Sequence, residues 1–368
     1  MNKFEKRKND GILTKLDAMD NILRLNYIGS KFQLISWLIE EIKEKSGWTS
    51  FENKRISDLF AGTGVISYYF RQNNAIVVSN DAELYSSIIS HAFNQSTFTK
   101  ECENIINILQ TELDDGNYSD THGMITKEYS PYEENERMFF TIDNAKRIDY
   151  LRERIEAMKE CISKDEYMFL LASLIIAADS VSNVPAVYGC YLKKFKTKAD
   201  KSLKIYPIHK NTVKPNKKSK TYNKDVLEQE FLASFRSDLV YLDPPYNERQ
   251  YSKNYFPLNI IAKTPEQLEK EEPLRGKTGI PSDCFISPFC RKREVIEAFD
   301  YLIKNLDTKW IFLSYNSESI VTKEKMMEIM SKYGNVSVTE MDYKRFKSFE
   351  YNNDVSIKEY IFCLEKTD

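Results

Sequence analysis

The stretch between residues 56 and 95 constrains the fold of this chain most tightly. Ile56 to Phe60 is a short apolar run entering a turn that contains Gly62 and Gly64, and Val65 to Phe70 continues with helical spacing. Ala75 to Ser79 is again apolar and β-branched, stops at Asn80-Asp81, and gives way to a helical pattern reaching about Gln95. Strand, helix, strand, helix in succession predicts parallel strands joined by crossovers, hence an α/β fold with a mostly parallel sheet.

The pattern then changes. Helical spacing at about 100–113, 143–162 and 165–180 runs without strands between, into a lysine-rich stretch. Strand character resumes at Asp238 to Leu242, and a helix at about 292–305 precedes the apolar run Trp310 to Ser314. A further helix reaches about Lys332, and Val336 to Met341 with Tyr360 to Leu364 predicts a closing antiparallel pair. The expected organisation is one α/β domain in two pieces, 1–100 and 231–368, interrupted by a mainly helical insertion at 101–230. Residues 264–290, rich in Pro, Gly and charge, predict a long loop near the substrate, because such segments in compact domains are usually functional or disordered.

Composition narrows the class. Apolar residues make up 42% and charged residues 29% of 368, as in soluble globular proteins. A net charge of −2 does not advertise a polyanion partner, so any nucleic-acid surface must come from local segregation of charge. The amino terminus, MNKFEKRKNDG, has no apolar stretch behind it, which argues against a secretory signal. The apolar run Met168 to Ala178 is too short to span a bilayer and reads as a buried helix, so no membrane is expected. Six cysteines (102, 161, 190, 284, 290, 363) lack C-x-x-C spacing and three histidines (91, 122, 209) are scattered, so no metal site is expected and a reducing cytoplasm fits best.

In "SDLFAGTGVIS", residues 57–67, the two glycines let the backbone turn sharply and approach a ligand without a Cβ in the way. Asp81 lies nineteen residues beyond Gly62 at the end of the second strand, where a carboxylate can take a ribose hydroxyl. A G-x-G alone is equally what a tight structural turn uses. A nicotinamide fingerprint would place Gly or Ala where Ser67 stands, and Asp58 before the turn is awkward for a diphosphate. S-adenosylmethionine (SAM), with a sulfonium, an ammonium and no phosphate, satisfies both observations.

"VYLDPPY" carries the second chemistry. Pro244 and Pro245 cannot donate ladder hydrogen bonds, so the strand must stop at Asp243 and give way to a stiff loop. The exocyclic amine of adenine is a poor nucleophile because its lone pair is delocalised into the ring. A carboxylate on Asp243 and the carbonyl of Pro244 can accept both amine hydrogens, Tyr246 can stack on the base, and the prolines lock the loop. A Pro-Pro turn after a strand is the bland alternative.

"NYIGSK" (26–31), "DLFAGTG" (58–64), "ND" (80–81) and "LDPPYNERQYSKNY" (242–255), in this order, resemble the Dam-like, alpha-class adenine-specific DNA methyltransferases. "PPYNERQY" and "FLSYNSE" (312–318) especially are similar to members that partner type II restriction enzymes. The resemblance implies a Rossmann-like SAM-dependent methyltransferase fold with a mostly parallel seven-stranded sheet. It implies that Tyr27, Gly29, Ser30 and Lys31 wall the SAM pocket, and that Asp58, Phe60, Ala61, Gly62, Thr63, Gly64, Asn80 and Asp81 bind SAM. By the same resemblance Asp243, Pro244, Pro245 and Tyr246 are catalytic, and the gap between Asp81 and Asp243 holds target recognition. The family's acidic motif after the third strand has no assigned counterpart here.

From Tyr191 to Lys224 stand twelve lysines against one acid, Asp200, interleaved with Tyr191, Phe195, Tyr206, His209 and Tyr222. Such an arm can neutralise phosphates, with Lys193, Lys194, Lys196 and Lys198 as candidate contacts, or be a solvated loop. Arg249 and Tyr251 are candidates for the extruded base or its neighbours, or for loop packing. The leading expectation is site-specific methylation of a flipped-out adenine in duplex DNA, with a cognate restriction endonuclease as a potential companion. An RNA adenine methyltransferase, a cytosine amino-methyltransferase and a catalytically silent nucleic-acid-binding module remain as alternatives.

Overall fold

The computed structural model describes residue 19 and residues 21–270, 274–344 and 356–367. The amino-terminal stretch read for a secretory signal and residues 271–273 of the Pro- and Gly-rich segment lie outside the described residues. Seven strands form one sheet: β1 (Arg55–Asp58), β2 (Ile76–Asn80), β3 (Lys220–Tyr222), β4 (Ser237–Leu242), β5 (Thr308–Asn316), β6 (Gly334–Lys344) and β7 (Ser356–Lys366). Their order is β3-β2-β1-β4-β5-β7-β6. The first five are parallel, and β7 runs antiparallel to both β5 and β6. The sheet is therefore the expected mostly parallel one, closed by the predicted antiparallel pair.

This order positions the site. The chain moves outward from β1 through β2 to β3, then returns to lay β4 on the other side of β1. Loops leaving β1 and β4 therefore diverge to opposite faces and leave a crevice beyond the carboxyl ends of the strands, where open α/β sheets bind ligands.

The principal helices are α1 (Ile35–Ser46), α2 (Val65–Gln72), α3 (Leu84–Asn94), α4 (Lys100–Asp114), α5 (Ile142–Ala157), α6 (Lys164–Ser180), α7 (Phe256–Ala262), α8 (Val295–Asn305) and α9 (Lys323–Ser331). Alternation along the strands feeds two apolar clusters, one on each face. Leu239, Tyr241 and Phe312 pack with α1 to α7, whereas Val240, Leu242, Ile311 and Leu313 pack with α8 and α9. Helix α6 is apolar on nearly all sides because it lies inside the first cluster, and Phe169, Leu170, Leu174 and Ile175 are wholly buried. Among the described residues no helix is long and apolar enough to cross a membrane.

Helix α5 ends at Ala157, short of the 162 expected from spacing, because Ser163 begins a new helix. Its hydroxyl accepts from the Glu166 N–H while the Glu166 carboxylate takes the Ser163 N–H. The larger departure is β3, which lies where the sequence predicted helices and a lysine-rich stretch without strands. Its three residues pair with Val78, Ser79 and Asn80 at the sheet edge. They carry no apolar periodicity; Asn94 Nδ2 holds them, donating to the Lys220 carbonyl (3.1 Å) and Thr221 Oγ1 (3.3 Å). The 264–290 segment is held by the helical region: Tyr129 donates to the Gly279 carbonyl at 2.9 Å, and Arg137 Nε to the Lys277 carbonyl at 3.2 Å.

Candidate active site

Two adjoining cavities occupy the crevice, about 580 and 440 Å³ with the solvent at their mouths included, and Tyr27, Phe60 and Tyr251 line both. The loop after β1 forms the floor. Its Ala61 N–H donates to the Asn80 carbonyl at 2.9 Å, tying it to the end of β2. Asp81 then grips the loop, accepting from the Gly62 N–H (2.8 Å) and the Glu83 N–H (2.9 Å).

The glycines serve different ends. Gly62 has φ +51°, and a Cβ there would stand 3.1 Å from the Tyr27 ring in the cavity wall. Gly64 has φ +72°, and its Cβ would lie 2.9 Å from Phe93 and 3.2 Å from Ser90 Cα, so it serves the close approach of α2 to α3.

Asp58 is 1% exposed and accepts from Ser67 Oγ at 2.8 Å. Burial pushes its carboxyl up to about 7, the Ser67 hydroxyl pulls it back, and the Asp243 and Asp81 carboxylates push further. A buried acid in this condition fits a cationic ligand and opposes an anionic one. Ser67, which set the sequence apart from a nicotinamide fingerprint, is the residue that orients this carboxylate.

β4 ends at Leu242 and delivers Asp243, as the two prolines require. The Asp243 Oδ1 accepts from the Tyr246 hydroxyl at 2.5 Å and pairs with the Lys31 ammonium at 2.9 Å. Lys31, only 5% exposed, also donates to the Gly29 carbonyl (3.0 Å) and lies 4.7 Å from the centroid of the Tyr246 ring. The Tyr246 ring stands edge-on to Tyr315 at 5.1 Å, so its position is set by β5. Ser30 and Thr63 line the same cavity as Asp243 and Lys31. All the residues assigned to cofactor and catalysis except Gly64 and the buried Pro244 thus line the crevice or grip its loop.

The lysines divide. Lys193 and Lys194 are exposed, whereas Lys196 and Lys198 are half-buried and donate to the carbonyls of Val184 (2.5 Å) and Asp179 (3.1 Å). Arg249 is exposed. Tyr251 belongs to the wall: its ring packs against Tyr27 and Tyr255, and its hydroxyl donates to the Ile28 carbonyl at 3.1 Å.

Sequence reasoning missed Asp225. It follows β3 by three residues and lines the larger cavity beside Asn80 and Asp81. Asn80 fixes this turn through bonds with the Lys224 carbonyl and N–H, both at 3.1 Å. The available signal was Thr221-Tyr222 followed by Asn-Lys-Asp, too short to stand out from the lysines around it. Phe285, Ser287 and Phe289 line the same cavity, so the carboxyl-terminal end of the 264–290 segment borders the crevice.

Residues 27–329 match the family described as D12 class N6 adenine-specific DNA methyltransferase. The chain belongs to this family. It is 41% identical over 345 residues, 93% of this chain and 98% of the relative, to the type II methyltransferase M.CviAII of Paramecium bursaria Chlorella virus 1. It is 35% identical to the type II methyltransferase M.NlaIII of Neisseria lactamica, over 93% of this chain and all of that protein. Against the type II methyltransferase M.FokI of Planomicrobium okeanokoites the identity is 32%, over 93% of this chain and 53% of the relative. This D12-class chain is therefore a SAM-dependent adenine-specific DNA methyltransferase. The residues present fit that cofactor: Asp58 offers a buried carboxylate to a cation, and Phe60, Phe285 and Phe289 offer apolar surface to a purine.

Proposed function

We propose that this chain methylates N6 of an adenine swung out of duplex DNA at a specific sequence, as the modification enzyme of a type II restriction-modification system in a reducing cytoplasm. The observation that carries the reading is the meeting of Asp243 and Tyr246 with Asp58 and the Gly62 turn in one crevice. SAM supplies an electrophilic methyl group on its sulfonium when bound. Asp243 and the Pro244 carbonyl accept the two amine hydrogens, which localises the nitrogen lone pair toward that methyl. With SAM bound, transfer of its methyl to that nitrogen would leave the neutral thioether, and the Asp243 carboxylate, already accepting from the amine, would take the proton the amine gives up and pass it to solvent. Tyr246 stacks on the base and offsets part of the few kcal/mol that extrusion costs. Of the expected insertion 101–230, the part ahead of β3 carries target recognition, its helices α4, α5 and α6 packed into the same core as the sheet, whereas β3 and Asp225 belong with the sheet and its cavity.

The test uses duplex DNA, single-stranded DNA and RNA of matched sequence with radiolabelled SAM, followed by nucleoside analysis. N6-methyladenine from the duplex alone is the expected result. Label in RNA, or in cytosine, contradicts the assignment.

Two further outcomes follow from the geometry. Placing the SAM ammonium near Asp58 favours the ionised carboxylate, so the complex holds fewer protons than the free protein. SAM affinity is then expected to rise with pH up to about 7, with a slope of at most about tenfold per pH unit, and to level off above. Calorimetry at several pH values checks this, and Asp58→Asn is expected to bind more weakly with a flatter profile. An equally steep profile in the Asn protein removes Asp58 from the role.

Changing Lys193 and Lys194 to Gln is expected to weaken binding to specific and random duplexes alike. The log–log salt slope should flatten by about 0.9 per lost phosphate contact. Lys196→Met and Lys198→Met, which lose bonds to backbone carbonyls, are expected to lower the melting temperature instead. Anisotropy titrations across a salt series decide between arm and solvated loop; an unchanged slope in the Lys193/Lys194 variant means the latter.

A further inference from the structure

One wall of the crevice has no secondary structure of its own to hold it. Residues 23–27 belong to neither helix nor strand, yet Tyr27 lines both cavities. Side chains from elsewhere fix this backbone. The Ile28 N–H donates to the Tyr255 hydroxyl at 2.9 Å, the Tyr251 hydroxyl donates to the Ile28 carbonyl at 3.1 Å, and the Tyr27 ring stacks on Tyr255 at 4.9 Å. On the other side of Tyr27 the Asn26 N–H donates to Asp179 Oδ2 at 2.9 Å, across 153 residues of chain.

Asp179 is costly where it stands. It lies in the last turn of α6, where the helix dipole turns its negative end and no basic residue of that turn offsets it. The residue is 4% exposed, and its carboxylate is satisfied by hydrogen bonds: Oδ2 takes the Asn26 N–H and Oδ1 takes the Tyr188 hydroxyl at 2.9 Å. Lys198 donates to the Asp179 main-chain carbonyl at 3.1 Å. Burial raises the Asp179 pKa, and the Asn26 N–H, Lys198 and the Tyr188 hydroxyl oppose the rise. A buried carboxylate against a helix dipole lowers stability, and the bond it makes falls on the segment that carries Tyr27.

We propose that Asp179 is a positioning residue for the cofactor: from the end of α6, within the region assigned to target recognition, its carboxylate holds the Asn26 main chain and so sets the Tyr27 wall against which SAM binds. The helical region then builds part of the cofactor site as well. The proposal rests on the assignment of Tyr27 to the SAM pocket.

Three quantities test it: SAM affinity by calorimetry, single-turnover transfer to duplex DNA at saturating SAM, and melting temperature. Asp179→Ala is expected to weaken SAM roughly tenfold, because a wall released from one hydrogen bond occupies its binding position only part of the time. At saturating SAM the placed wall is selected again, so the rate should stay within about threefold of wild type. Asn26→Pro removes the same bond from its other end, at an exposed residue outside helix and strand, and should weaken SAM by a similar factor even if the Ala protein fails to fold. The double variant should bind no more than about twofold worse than either single one. Asp179→Asn keeps an acceptor for the Asn26 N–H and should fall between wild type and Ala. Tyr188→Phe removes the other hydrogen bond to this carboxylate, and should lower the melting temperature while leaving SAM affinity within about twofold.

An unchanged SAM affinity in either the Ala or the Pro variant overturns the proposal, as do losses that multiply in the double variant, an Asn variant no better than Ala, or a Tyr188→Phe loss of affinity as large as that of Ala. A Tyr27→Ala protein that binds SAM as tightly as wild type overturns the assignment of the wall instead, so the two failures are told apart.

Discussion

Asp243→Ala is expected to lower the rate of methyl transfer by about 10²–10³-fold or more, the scale seen when one preorganised group facing developing charge is removed. The carboxylate is the terminus of β4, its oxygen is fixed by Tyr246 and Lys31, and it shares the crevice with Asp58. The fold is expected to survive with a lowered melting temperature, because the strand before Asp243 is held by β1 and β5 while the buried Lys31 ammonium loses its partner. SAM affinity should change far less than rate. Single-turnover kinetics beside calorimetry separate the two, and near-normal turnover in a folded Ala protein removes Asp243 from catalysis.

Tyr246→Ala carries the second large effect. Base–aromatic stacking is worth about 1–3 kcal/mol, so losing the ring is expected to slow transfer roughly ten- to hundredfold. The ring is seated edge-on against Tyr315, which makes it a fixed platform with little rotamer entropy left to lose. Tyr246→Phe keeps the platform and loses only the hydroxyl that donates to Asp243, so it should stay within about tenfold of wild type. A fluorescent adenine analogue at the target position is quenched in the helix and should brighten on binding. With Tyr246→Ala the flipped base should be brighter still, having no ring to quench it. An Ala variant that methylates as fast as its parent contradicts the stacking role.

What the sequence made legible follows its strongest physical signals. The Gly62–Gly64 turn and the two prolines after Asp243 each impose a backbone that few alternatives satisfy, and both lie where they were expected. The antiparallel closing pair was legible from β-branched and aromatic runs, and α6 from its unbroken apolar length. β3 was not, because an edge strand of three residues is held by Asn94 and β2 rather than by apolar alternation. Asp225 was lost with it, since an acid after a strand is recognisable only once the strand is found. The lysines were legible as charge but not as geometry: sequence cannot separate Lys193, exposed, from Lys196, whose ammonium is spent on a backbone carbonyl. Tyr251 teaches the same lesson, because its place in the wall is owed to Ile28, 223 residues away in the chain.

The most direct measurement expresses the wild-type chain and Asp243→Ala in a host lacking DNA methylation and maps modified bases across the recovered genome. N6-methyladenine at nearly every copy of one short sequence in the wild-type sample, and none in the Asp243→Ala sample, is the predicted result. Unmodified adenines in the wild type, modification scattered without sequence preference, or equal modification in both samples contradicts the account.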